Sequence, residues 1–145
     1  MTRIDRLREL CTLRNWPLYV QILIWMSVVR ILVNRMEIRA VLNRLDRRRT
    51  ARRPLRDADI ERAWIGRRFV DLILIRLLKS ATPCLVQSLT LFHLFRRRGL
   101  DVGIVFGVQK NTSPLKGHSW ILINGETPLE PAAPEASCVT LFSYP

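Results

Sequence analysis

The sequence predicts an α+β protein in which a helical, arginine-rich N-terminal half precedes a core of one helix packed on a small antiparallel sheet. Three observations carry this. Apolar residues recur at helical spacing through most of the first hundred positions, two short β-rich apolar runs follow, and Asn124-Gly125 stands where a hairpin would turn. We divide the chain into residues 1–56, the helical region, and residues 57–145, the core. At 145 residues it can build one domain with a modest core.

Residues 1–15 place Ile4, Leu7, Leu10, Cys11 and Leu13 near one face of a short amphipathic helix. Pro17 punctuates, and residues 18–33 form the most apolar stretch. Its longest charge-free part, residues 15–29, is 15 residues long and contains Asn15, Gln21 and Ser27, whereas a membrane span needs about 20 apolar residues. A buried or interfacial helix is expected, and the arginines at 30, 35, 39 and 44 suit peripheral contact with an anionic membrane. The helical pattern continues through Met36, Ile38, Val41, Leu42 and Leu45, then breaks up. Six arginines fall between Arg47 and Arg56 with no aromatic residue for base stacking, so the run reads as a solvated linker and nucleic acid is not an expected partner.

Asp57 or Asp59 can cap the next helix, which runs through Trp64, Phe69, Leu72 and Ile75 to about Lys79. Its apolar residues cover so much of its circumference that it must bury against more than one neighbour. The following helix has clear start and stop signals: Thr82 as N-cap, Pro83 at the first position, Arg96 to Arg98 near the end and Gly99 after it. Strands are expected over 102–108, 117–123 and 126–130. The tail, 131–145, holds Pro131, Pro134 and Pro145 and is expected to lie irregularly over the surface.

Composition narrows the function classes. Nearly half the residues, 48%, are hydrophobic beside a net charge of +12, which excludes a disordered chain. The charge belongs to one half: before Cys84 there are 19 basic and 8 acidic residues, from Cys84 onward 5 and 4. Such a half attracts acidic peptide or anionic lipid and says little about fold. Cys11, Cys84 and Cys138 form no CxxC pair, and the odd count without a signal peptide fits the cytoplasm. Neither histidine has metal-ligand spacing with a cysteine, and no Gly-rich Lys-Ser/Thr loop occurs, so no metal and no cofactor are expected.

The chemistry-bearing pair is Cys84 and His118. Cys84 sits in the first turn of its predicted helix, where unpaired amides and the positive dipole end favour a thiolate. An oxyanion formed by its attack could be met by the amide of Cys84 itself. His118 opens a strand and is the available base. His93, nine residues along the same helix, lies roughly 13 Å from that thiol along the axis and is too far to serve it. Taken alone, the pair also suits a small buried cysteine and a satisfied strand histidine.

The run WIGRRFVDLILIRLLKSATPCLVQSLTLFHLFRRRGLDVGIVFGVQK followed by GHSWILINGETPLEP resembles the transglutaminase-like cysteine proteases that process lasso-peptide precursors. The likeness covers about residues 60–131, and rests on Pro-Cys-Leu, Leu-x-x-Arg-Arg-Gly, Gly-Val and His-x-Trp in this order. Residues 1–59 are similar to the N-terminal part of that family only in character. The family's alanines around the histidine are Gly117 and Ser119 here, and its Val-Glu after the tryptophan is Ile121-Leu122. Loss of that glutamate leaves Glu130, followed by Pro131, as the match to the acid of the superfamily pattern. The resemblance implies a transglutaminase/papain-like core with a Cys84, His118 and Glu130 triad, and leader-peptide removal from a ribosomally made precursor. It also implies a separate leader-recognition protein and an ATP-dependent macrolactam synthetase as partners. Cysteine usage and the arginines after the apolar run give the expected setting, the cytoplasm, with peripheral contact at the inner face of the membrane.

Strand geometry restricts the third member. A two-residue Asn124-Gly125 loop would turn Glu126 and Glu130 away from the His118 face. A three-residue loop pairing Ile123 with Thr127 brings both onto it. A bulged hairpin is therefore expected if Glu130 orients the imidazole. The alternatives are a transglutaminase-type acyl transferase using the same Cys and His, or a non-catalytic basic module that binds membrane or nucleic acid.

Overall fold

A computed structural model of the chain describes residues 15–46, 53–77, 79, 83–125, 127–129 and 137–145. Residues 1–14 of the helix expected over 1–15, the Thr82 cap, Glu126 and Glu130 lie outside the described residues. Among the described residues four α-helices precede the sheet: α1 (Trp16–Arg35), α2 (Ile38–Leu45), α3 (Asp57–Asp71), continued by π-helical Leu72–Leu77, and α4 (Pro83–Arg97). The strands are β1 (Val102–Gln109), β2 (Gly117–Ile123), β3 (Thr127–Pro128) and β4 (Cys138–Tyr144), in the antiparallel order β3-β2-β1-β4.

Pro17 sits inside the first turn of α1 instead of ahead of it, where its missing N–H costs nothing. The single helical pattern read across residues 34–45 is split, because Met36 turns extended (φ −136°, ψ 155°) and ends α1. At α3 the capping position is taken by Arg56, and Asp59 acts from within the first turn, accepting the Arg56 amide at 3.1 Å.

The irregular tail expected over 131–145 is corrected: residues 138–144 form β4, paired along β1 from Gln109–Cys138 to Ile104–Tyr144. Pro145 follows this strand without entering it, and residues 131–136 of the expected tail lie outside the described residues. The outer edge of β1 would otherwise present an unpaired row of amides and carbonyls. The hairpin after β2 has Ile123 opposite Thr127, with Asn124 and Gly125 both at positive φ (53° and 74°). This is the three-residue loop, with the glycine in the left-handed region.

One hydrophobic cluster unites Ile22, Met26 and Val29 of α1, Val41, Leu42 and Leu45 of α2, Val70 of α3, Phe92 and Phe95 of α4, and Ile104, Ile121 and Ile123 of the sheet. The opposite sheet face carries a second, smaller cluster of Val105, Trp120 and Cys138. His93 is a core residue: its Nδ1 lies 2.8 Å from the Leu45 carbonyl and its ring 3.8 Å from that of Trp25. By length and composition alone α1 could cross a membrane, with a mean hydropathy of 1.7. Its Leu18, Tyr19, Ile22, Met26 and Val29 are nevertheless buried in the protein. Its other side leaves Trp16, Val20, Leu23, Ile24 and Ile31 exposed.

Candidate functional site

Cys84 is the second residue of α4, so its side chain leaves the first turn, as the Pro83 and Arg96–Arg97 signals require. The sulfur is half-buried and lies 4.0 Å from the Gly117 carbonyl oxygen. Residues 117, 119 and 121 of β2 direct their backbone groups away from β1. At Ile121 the carbonyl accepts the Leu129 amide at 2.9 Å; two and four residues earlier, the start of α4 occupies that edge.

Burial of the Cys84 thiol acts to raise its pKa, but a hydrogen bond with His118, the charge of His118 and the amides of Ser119 and Leu85 outweigh it. The thiol is held below its ordinary value. The His118 imidazole thus acts on the Cys84 sulfur and favours its ionised form.

Ser88 fixes the approach of helix and strand. It lies one turn beyond Cys84, on the same helix face, and donates its hydroxyl to the Ser119 carbonyl at 2.9 Å. The Ser119 hydroxyl completes the contact at 3.3 Å from Ser88 Oγ. All of these groups are buried. Cys84 and Ser88 therefore hold β2 on both sides of His118. The i, i+4 spacing was visible in the sequence, but its partner on β2 was not.

His118 stacks on Trp120, with ring centroids 5.8 Å apart and planes 26° apart. Gly107 lies opposite His118 in the β1–β2 register, and a Cβ there would meet the Val139 carbonyl at 2.8 Å and the indole of Trp120 at 3.0 Å. The indole needs a residue without a side chain at position 107. Sequence reading took Gly107 and Trp120 only as members of strands and of a motif.

Glu130, the proposed third member, lies outside the described residues. The Ile123–Thr127 pairing is the register that its assignment requires. Just before it, Arg67 of α3 donates to the Leu129 carbonyl, pairs with Asp71 at 3.5 Å, and Asp71 accepts the Gln87 side-chain amide at 2.8 Å. This chain joins α3, α4 and the end of the hairpin three residues past Cys84. Sequence reading missed it; the i, i+4 pair Arg67–Asp71 was the available signal. Among the described residues no three His, Cys, Asp or Glu side chains group as a metal site.

A family model of the transglutaminase-like superfamily matches residues 23–143. The chain belongs to the transglutaminase-like superfamily. Neither the curated proteins nor the solved structures give a match. Transglutaminase-like domains are usually cysteine peptidases or acyl transferases. The matched segment of this transglutaminase-like chain begins within α1 and ends within β4, so it includes both the arginine-rich helices and the C-terminal strand.

Proposed function

We propose that this protein is a cysteine peptidase that removes the leader peptide from a ribosomally synthesised lasso-peptide precursor. The observation that carries the peptidase reading is the Cys84 thiol, opening α4, hydrogen-bonded to His118 and lowered in pKa. The lasso-peptide assignment is supported by the likeness of residues 60–131 to leader peptidases. A separate leader-recognition protein would bring the precursor, and a macrolactam synthetase would close the ring. The setting is the cytoplasm, at the inner face of the membrane.

In this reading the Cys84 thiolate adds to the scissile carbonyl, and the amide of Cys84 in the first turn donates to the oxyanion. The C–N bond breaks as His118 gives a proton to the departing amine, leaving a thioester on Cys84. Water, losing its proton to His118, then adds to the thioester and releases the leader as a carboxylic acid. Glu130 is assigned to hold the imidazole in its tautomer, while Trp120 supports its outer face.

The test is incubation of precursor peptide and recognition partner with wild type, Cys84→Ala, His118→Ala and Glu130→Gln. Wild type should yield leader and core fragments whose summed mass exceeds the precursor by one water. The first two variants should lose cleavage, and Glu130→Gln should slow it. Unchanged cleavage by Cys84→Ala defeats the reading, and a product carrying an amine in place of water assigns acyl transfer instead.

A further inference from the structure

At the opposite end of α4 from Cys84 a cavity of about 170 Å³ is lined by Asn15, Pro17, Leu18, Arg62 and Arg98. Fourteen residues separate Cys84 from Arg98, roughly 21 Å of helix, so this is not the candidate active site. Three elements meet there: the start of α1, the second turn of α3 and the residue following α4.

Charge at this point is one-sided. The charged groups acting on Arg98 are Arg62 and Arg53, which oppose its charge, and Asp59, which supports it. Asp59 is already engaged by both Arg53 nitrogens at 2.7 Å. Arg62 makes no ion pair among the described residues, and Arg98 donates to the neutral Gln21 side chain at 3.2 Å. Three guanidinium groups thus face one carboxylate. Burial, followed by the Arg62 charge, holds the Arg98 guanidinium below its ordinary value. The first turn of α1 adds the positive end of a 20-residue helix, with no acidic residue in it and no side-chain cap from Asn15.

We propose that this cavity binds a phosphate group, held between the Arg62 and Arg98 guanidiniums and closed by Asn15 at the start of α1. Arginine forks from two elements, with donors from a third direction, match the outward-pointing oxygens of a tetrahedral anion. The volume, room for about five waters at their liquid density, accommodates its five heavy atoms. A bound dianion would cancel the local excess of two positive charges.

Thermal unfolding of the full chain with inorganic phosphate, against sodium chloride at equal ionic strength, tests the site. The midpoint of wild type should rise saturably with phosphate beyond the chloride curve. Arg62→Gln, an exposed position, should fold and lose most of that rise, and Arg98→Gln should do the same. Arg30→Gln, on the exposed side of α1, should keep it. Cys84 alkylation should be unchanged in Arg62→Gln. A wild-type response equal to chloride, or one retained by Arg62→Gln, overturns the proposal. Sedimentation with phosphatidic acid vesicles, competed by inorganic phosphate and lost in Arg62→Gln, would place the phosphate on a lipid; a saturable phosphate response without sedimentation would place it on a soluble ligand.

Discussion

Five influences act on the Cys84 sulfur, and His118 supplies two of the four that favour its ionised form. Removing the imidazole leaves burial opposed only by two amides, so the thiol pKa must rise. His118→Ala should therefore shift the pH profile of Cys84 alkylation upward: where wild type already reacts as thiolate, below the ordinary value of about 8.5, the variant should react several-fold more slowly. An unmoved profile would mean that the imidazole does not hold the sulfur. Cys84 and His118 were legible because helix-start signals and a lone strand histidine are local. Gly107 was not, since the indole filling its space comes from the neighbouring strand. Gly107→Ala must push Trp120 or the Val139 carbonyl aside and should cost about 1–3 kcal/mol in urea unfolding. It should also move the Cys84 alkylation profile upward, because displacing Trp120 removes the surface against which His118 rests.

The joint between α4 and β2 depends on few groups, and Ser88 is the one that can be tested without touching the sulfur. Ser88→Ala removes the donor to a buried carbonyl, leaving Ser119 O unpaired on an edge that β3 does not reach. The expected loss is about 1–3 kcal/mol in denaturant unfolding. The Cys84 alkylation profile should also move upward, since the Ser119 amide that favours the thiolate sits in the freed segment. At this scale the sequence spoke unevenly. Asn124-Gly125 foretold the turn, because turn chemistry is local, whereas the Ile123–Thr127 register was expected only on the condition that Glu130 orients the imidazole. The strand over 138–144 was hidden by surrounding prolines, and only the unpaired side of β1 calls for it. The break at Met36 had no local signal, since its apolar neighbours keep helical spacing on both sides.

Across the whole molecule, the arginine-rich half is tied into the core by its first helix. Leu18, Tyr19, Ile22, Met26 and Val29 are buried, and at about 1.5–3 kcal/mol for each large apolar side chain their removal withdraws roughly 10 kcal/mol. That is comparable to the whole stability of a domain, about 5–15 kcal/mol. Charge and composition made residues 1–56 read as a region of their own, because they report the exposed side of α1 and the linker and not the face turned inward. Arg53 adds a second tie, donating its amide to the Gly99 carbonyl at 2.9 Å and its Nε to the Arg98 carbonyl at 3.0 Å. Deleting residues 1–45 should therefore abolish cooperative thermal unfolding and near-ultraviolet circular dichroism, and not only partner binding. Replacing Leu23, Ile24 and Ile31 by serine alters the exposed side alone and should leave the melting midpoint within a few degrees of wild type. A truncated chain that still melts cooperatively would show that α1 serves docking alone, and that α3, α4 and the sheet hold their own core.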